Sequence, residues 1–110
     1  MKITELLTQE TIILDLKATE KVQVIDELID KLYAAGKITD KAAFKKEILA
    51  REEQGSTGIG DGVAIPHAKS STVKEPAIVF GRSKAGVDYE SLDGQPAHLF
   101  FMIAASAGAH

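Results

Sequence analysis

Between a segment of helical spacing and a series of strand-like segments, the chain places Gly55 to Lys69, GSTGIGDGVAIPHAK, with glycines at positions 55, 58, 60 and 62. Glycine at this density gives up side-chain burial and loses the most backbone entropy on folding, so core packing alone does not favour it. A requirement other than the core is expected to hold these residues in place.

Two phosphate-cradling motifs fail on this stretch. Gly55 and Gly60 have the spacing of a P-loop, but Asp61 stands where the phosphate-binding lysine belongs and no strand precedes the loop. The dinucleotide fingerprint begins correctly at Gly58 and Gly60, yet Val63 occupies the third glycine's place and the preceding segment reads as helix. What remains is a flexible loop whose backbone N–H groups can approach a ligand closely, followed by the short apolar run Val63, Ala64 and Ile65. Pro66 fixes its own φ and pushes Ile65 into an extended conformation, which presents His67 at a defined place. His67 is therefore a candidate nucleophile, with an ordinary hydrogen-bonded loop histidine as the alternative.

The stretch TGIGDGVAIPHAK resembles the active-site signature of the enzyme IIA domains of the fructose/mannitol class (type 2) of the phosphoenolpyruvate-dependent sugar phosphotransferase system. The resemblance runs over essentially the whole chain, through REEQGSTGIG upstream and VDYESLDGQPAHLFFMIAA downstream, and is greatest with the fructose branch. It implies that His67, in the IPH triplet, carries a phosphoryl group on Nε2, and that Arg51, in the REEQGST segment, assists it. It also implies a phosphoryl relay: from a histidine-containing phosphocarrier protein to His67, then to a cysteine of a IIB domain, with a membrane-bound IIC domain completing uptake of fructose or a related sugar. No cofactor is implied.

Size and charge agree with such a part. A chain of 110 residues, 45% of them hydrophobic, suffices for one domain with a core and is too short for two. A net charge of −3, from 13 basic and 16 acidic residues, argues against nucleic acid or an anionic membrane as the main partner. Cysteine is absent, which suits the cytoplasm and means that a thiol acceptor lies on another domain or protein. The longest apolar run, Leu99 to Ala105, is far short of a membrane span, so direct membrane insertion is not expected. The three histidines lack metal-ligand spacing, and no metal site is expected.

Along the chain, residues 3–7 suggest one helical turn and Thr11 to Leu16 a buried strand. Thr19 is the expected cap of a helix with Val22, Ile25, Ile29 and Leu32 inward and Gly36 just past its end. Asp40 or Thr39 caps a second helix that turns Phe44, Ile48 and Leu49 inward, faces Lys45, Lys46, Glu47 and Glu52 to water, and ends at Gly55. Arg51 falls in its last turn, where a cation complements the helix dipole for a few tenths of a kcal/mol; the other reading is a planar, two-point grip on phosphoryl oxygens. After His67, a loop over 70–76, a strand over 77–81, a turn at Lys84 to Gly86, a short strand over 87–89, a turn at Asp93-Gly94 and a strand over 98–105 are expected. His98, at the start of the last strand, is expected to make an ordinary hydrogen bond.

This order predicts a single α/β domain, and the resemblance sharpens it to a mixed β-sheet flanked by α-helices on both sides. Residues 1–110 are then one type-2 enzyme IIA domain whose C-terminal helical part is expected to be missing. Family members carry a second active-site histidine beyond that point, and its role is not transferred to His110.

Phosphoryl transfer to histidine needs a neutral imidazole nitrogen, an in-line approach and donors around the phosphoryl oxygens. The N–H groups of Gly58 and Gly60, the Thr57 hydroxyl and the Arg51 guanidinium are the candidates. Two other functions remain open. One is a regulatory relative similar to the nitrogen-related enzyme IIA proteins, whose phosphorylation state gates protein binding; the other is a ligand-binding α/β domain with a glycine loop.

Overall fold

The computed structural model describes residues 2–107. In chain order the elements are α1 (Ile3–Leu6), a 3-10 turn (Gln9–Thr11), β1 (Ile12–Ile13), α2 (Lys21–Ala34), α3 (Lys41–Glu53), β2 (Gly58–Gly60), β3 (Val63–Ala64), β4 (His67–Ser70), β5 (Ala77–Val87) and β6 (Ala97–Ser106). The strands form one mixed sheet in the order β1-β5-β6-β3-β2, with β4 continuing beside β6 where β3 stops. β5 and β6 are antiparallel, whereas β1 on β5, and both β3 and β4 on β6, are parallel.

Alternation along the central strands decides what the sheet covers. Ala77, Val79, Phe100, Met102 and Ala104 are buried on the face that receives α2 and α3. From the helices come Val24, Ile25, Leu28, Ile29 and Leu32 of α2, and Phe44 and Ile48 of α3. Val22, expected inward, is exposed: the buried stripe of α2 is centred on Val24, Leu28 and Leu32 instead. Leu28 and Leu16 close over Gly81, where a Cβ would stand 2.8 Å from Leu28 Cδ2 and 2.9 Å from Leu16 Cδ1. The glycine lets α2 seat directly on the sheet.

Local chemistry explains most boundaries. α2 ends in a Schellman arrangement, Lys37 N–H donating to Leu32 O and Gly36 N–H to Tyr33 O, with Gly36 at φ +74. The Asp40 side chain caps α3 by accepting from Ala43 N–H. Thr19 does not cap α2. The helix starts after Glu20, whose side chain makes no cap bond, and Glu27 reaches back from inside the helix to the N–H groups of Lys17 and Ala18.

Two strands depart from expectation. The expected strand over 11–16 shrinks to Ile12–Ile13, because Thr11 belongs to the 3-10 turn and Leu14 turns outward while Leu16 alone returns to the core. The expected turn at Lys84 to Gly86 lies inside β5: a bulge between the pairs Arg82/Leu99 and Val87/Ala97 takes up the extra residues, and Ser83 Oγ accepts from Gly86 N–H. Asp93-Gly94 does turn the chain, Gly94 N–H donating to Ser91 O.

Gly81→Ala inserts a methyl where Leu16 and Leu28 meet the sheet, and overpacking of that kind costs about 1–3 kcal/mol. Urea unfolding should show a lower midpoint with an unchanged slope; an unchanged midpoint would mean that α2 is not seated on this glycine.

Candidate active site around His67

The glycine stretch is a β-hairpin rather than an open loop. β2 and β3 pair antiparallel across the two-residue turn Asp61-Gly62, with φ +55 and +79. Positive φ at both central residues defines a type I′ turn, and Asp-Gly is among its strongest sequence signals. That dipeptide is the clue which would have revealed the hairpin in the sequence.

Its glycines admit another part of the chain. A Cβ on Gly58 would meet Ser91 Oγ and lie 2.9 Å from Ser91 Cα, and one on Gly60 would lie 3.2 Å from Asp93 Oδ2. The 91–94 turn packs onto the hairpin through those gaps, Leu92 N–H donating to Gly58 O and Asp61 N–H to Asp93 Oδ2. Gly58 N–H is itself donated to Ser56 Oγ at 3.0 Å. Close approach is what Gly58 and Gly60 serve, and what approaches is Ser91 and the Asp93 side chain.

His67 opens β4, opposite Ile103 of β6. Paired residues share a face, so His67 stands with Ile103 on the side of the sheet away from α2 and α3. Its Nδ1 lies 2.8 Å from the Ile65 carbonyl. A carbonyl only accepts, so Nδ1 carries the proton and the Nε2 lone pair of the neutral ring is left free. Ile65 is anchored in turn: its N–H donates to Thr57 O at 2.9 Å, and the following Pro66 keeps it extended. His98 is held in the same tautomer, Nδ1 donating to Ser83 O at 2.9 Å, which is the ordinary hydrogen bond expected of it. His110 lies outside the described residues.

Arg51 sits in the last turn of α3 and donates through Nη1 to Gly55 O at 2.9 Å, at the entrance to the hairpin. It forms no ion pair among the described residues, and no hydrogen bond joins it to His67. The Thr57 hydroxyl is buried and donates to Glu52 Oε2, so its single proton is already committed.

Glu52 is the residue that sequence reasoning missed. Expected to face water, its side chain is 6% exposed and meets four donors. Thr57 N–H and the Lys21 ammonium, each at 3.1 Å, reach Oε1, while the Thr57 and Tyr89 hydroxyls reach Oε2. Lys21 also lies 4.6 Å above the centre of the Tyr89 ring. Helical periodicity placed Glu52 outward; the fold of the segment 87–90 back over the end of α3 covers it.

Burial pushes the Tyr89 phenol far above its usual range, and the adjacent Glu52 charge adds to this. For Glu52 burial also acts upward, but the Thr57 hydroxyl and N–H and the Lys21 ammonium outweigh it, so the carboxyl lies below its ordinary value of 4.5. A lowered folded pKa contributes stability above that value and loses it as pH falls. Glu52→Gln should therefore flatten the acid side of the melting temperature against pH profile below 4.5. Glu75 and Asp93, also lowered, are common to both proteins and leave the difference to Glu52. Parallel acid limbs would show that the carboxylate is not held ionised by this network.

An imidazole fixed in one tautomer with its other nitrogen free is the arrangement of a nucleophilic histidine, here carried on a mixed-sheet α/β domain. The chain belongs to the phosphoenolpyruvate-dependent sugar phosphotransferase system EIIA 2 family, a family of phosphotransfer components, whose profile matches residues 5–110. It is 64% identical over 110 residues to the fructose-specific EIIABC component of Bacillus subtilis (strain 168), covering 100% of this chain and 17% of that protein. It is 38% identical over 106 residues to the fructose-specific EIIA component of Haloferax volcanii, covering 94% of this chain and 69% of that protein. Among solved structures it is similar to the nitrogen regulatory protein IIA-Ntr of Neisseria meningitidis, with a TM-score of 0.87, 32% identity, and coverage of 96% of this chain and 71% of that one. Among the described residues, no helix is long and apolar enough to cross a membrane.

Proposed function

We propose that His67 takes a phosphoryl group on Nε2 from the phosphorylated histidine-containing phosphocarrier protein and hands it to a cysteine of a IIB domain. A IIC domain then completes uptake of fructose or a related sugar at the cytoplasmic side. The observation that carries this reading is the Nδ1–H bond to the Ile65 carbonyl, which leaves Nε2 as the free nucleophile. Fructose is drawn from the two fructose-specific relatives, and the IIB and IIC partners from the EIIABC relative.

The chemistry balances without a proton leaving the ring. Nε2 attacks phosphorus as the donor P–N bond breaks; the proton stays on Nδ1, hydrogen-bonded to the Ile65 carbonyl, so the phosphorylated ring is an imidazolium, and the donor ring, protonated on its other nitrogen, departs as neutral imidazole. In the second step a IIB thiolate attacks phosphorus and His67 is the leaving group. Arg51 is assigned the grip on the phosphoryl oxygens from its place at the hairpin entrance. Thr57 and Gly58, whose donors are engaged elsewhere, and Gly60, which admits the 91–94 turn, are assigned to shaping the hairpin.

With phosphoenolpyruvate and the phosphocarrier system, the chain should take up one label and stop; cognate IIB should drain it, and IIB with IIC should move it to sugar. His67→Ala should stay folded and take up none. Arg51→Lys should slow transfer while leaving the melting temperature nearly unchanged, because lysine keeps the helix-end charge and loses the planar two-point grip. Label on His98, or wild-type rates in the lysine variant, would overturn the corresponding assignment. The structural likeness to IIA-Ntr favours one second reading, a regulatory domain whose phosphorylation state controls protein partners. Label that no IIB domain drains would select it.

A further inference from the structure

We infer that Glu52 is a positioning residue for the reaction at His67: it holds the Thr57 backbone, and Thr57 holds the Ile65 segment whose carbonyl receives the His67 Nδ1 proton. The inference rests on the reading of His67 as the phosphoryl acceptor.

Three hydrogen bonds in series connect the two side chains. Thr57 N–H donates to Glu52 Oε1 at 3.1 Å, Ile65 N–H donates to Thr57 O at 2.9 Å, and His67 Nδ1–H donates to Ile65 O at 2.8 Å. Little slack exists at either joint. Thr57 is gripped twice by one carboxylate, through its N–H and its hydroxyl. Ile65 is restricted by Pro66, so once its N–H is pinned the direction of its carbonyl follows. If that carbonyl swings away, Nδ1 loses its acceptor, and the proton redistributes toward Nε2, the nitrogen that must stay free.

Glu52 is otherwise badly placed. An acidic side chain in the last turn of a helix opposes the helix dipole, and burial of a carboxylate is costly unless it is fully bonded. Its neighbours answer that cost: all four donate to it, the two that can only donate, Thr57 N–H and the Lys21 ammonium, both on Oε1, and two hydroxyls on Oε2. Lys21 is shared with Glu90 at 3.2 Å, which ties the start of α2 and the segment after β5 into the same anchor. Glu52 thus fixes the origin from which the hairpin, and then the imidazole, is set.

The test compares Glu52→Ala, Glu52→Asp and Glu52→Gln with the wild type by nitrogen-15 NMR of the His67 ring, which reads the nitrogen that carries the proton, and by single-turnover phosphoryl uptake from the phosphocarrier. The alanine and aspartate variants should convert a single Nδ1–H form into a mixture with Nε2–H. They should also slow uptake on the order of 10²-fold, the scale of a 1 Å misplacement, with little change in the phosphocarrier concentration at half-saturation. Glutamine can accept Thr57 N–H on its oxygen and donate to the Thr57 and Tyr89 hydroxyls, so it should recover the tautomer and most of the rate. Alanine and aspartate variants that melt lower yet keep the wild-type tautomer and rate would overturn the inference and leave Glu52 a clamp for the fold alone. Should the alanine variant not fold, aspartate, which keeps the charge beside Lys21, decides the matter. If wild-type His67 takes up no phosphate, the proposed function fails, and the ring spectra still decide the coupling: a shifted tautomer supports it and an unshifted one overturns it.

Discussion

A carboxylate withdrawn from water and surrounded by four donors is the constraint on which the site end of this domain depends. Breaking one partner from a buried, paired charge costs on the order of 3–5 kcal/mol, more than any one exposed ion pair contributes. Glu52 uses that cost as a latch. Lys21 from α2, Thr57 from the hairpin and Tyr89 from beyond β5 must all be present for the charge to be satisfied, so α2, α3, the hairpin and the segment after β5 are tied together at one point. Tyr89 adds an apolar body to the latch, since its ring packs edge-on against Phe100 in the core, with centroids 5.6 Å apart.

From that point the site is built by backbone. Gly58 and Gly60 leave room for the 91–94 turn to lie against the hairpin, and the hydrogen bonds of Leu92 and Asp61 close that contact. β3 and β4 then run in turn beside β6, with Pro66 at the join, so the chain steps from one short parallel pairing to the next and His67 is the first residue after the step. An imidazole placed by strand pairing, a proline and a carbonyl needs no neighbouring side chain to choose its tautomer.

Much of this was legible in the sequence, for physical reasons that act locally. The Asp40 cap, the Gly36 terminus and the Asp93-Gly94 turn each depend on a side chain or a φ angle within a few residues, and each stands where expected. His67 drew attention because a proline restricts what precedes it, which is also local. Where the reading failed, the cause was a contact distant in the chain. The strand over 11–16 is cut short because only Ile12 and Ile13 pair in register with β5, and beyond them Leu16 N–H alone returns to it, donating to Arg82 O. The residues from Lys84 to Gly86 look like a turn, but β6 is long enough to hold both sides of the bulge in one strand. The Asp61-Gly62 turn was a missed local signal, hidden by the expectation that so many glycines make a loop.

Residues 55–69 by themselves singled out His67 as a candidate nucleophile, because its identity and its delivery behind Pro66 are properties of adjacent residues. The family followed from the same run of sequence, and so did the expectation of a free Nε2. Only the tertiary structure decided why that nitrogen is free and which groups surround Glu52. The acceptor of the Nδ1 proton is a carbonyl, which carries no sequence signature, and a carboxylate at a helical position expected to face water is covered when the chain returns, 37 residues later, to lay Tyr89 over it. Periodicity reports which side of a helix faces its own neighbours; it holds no information about a segment that folds back across the helix end.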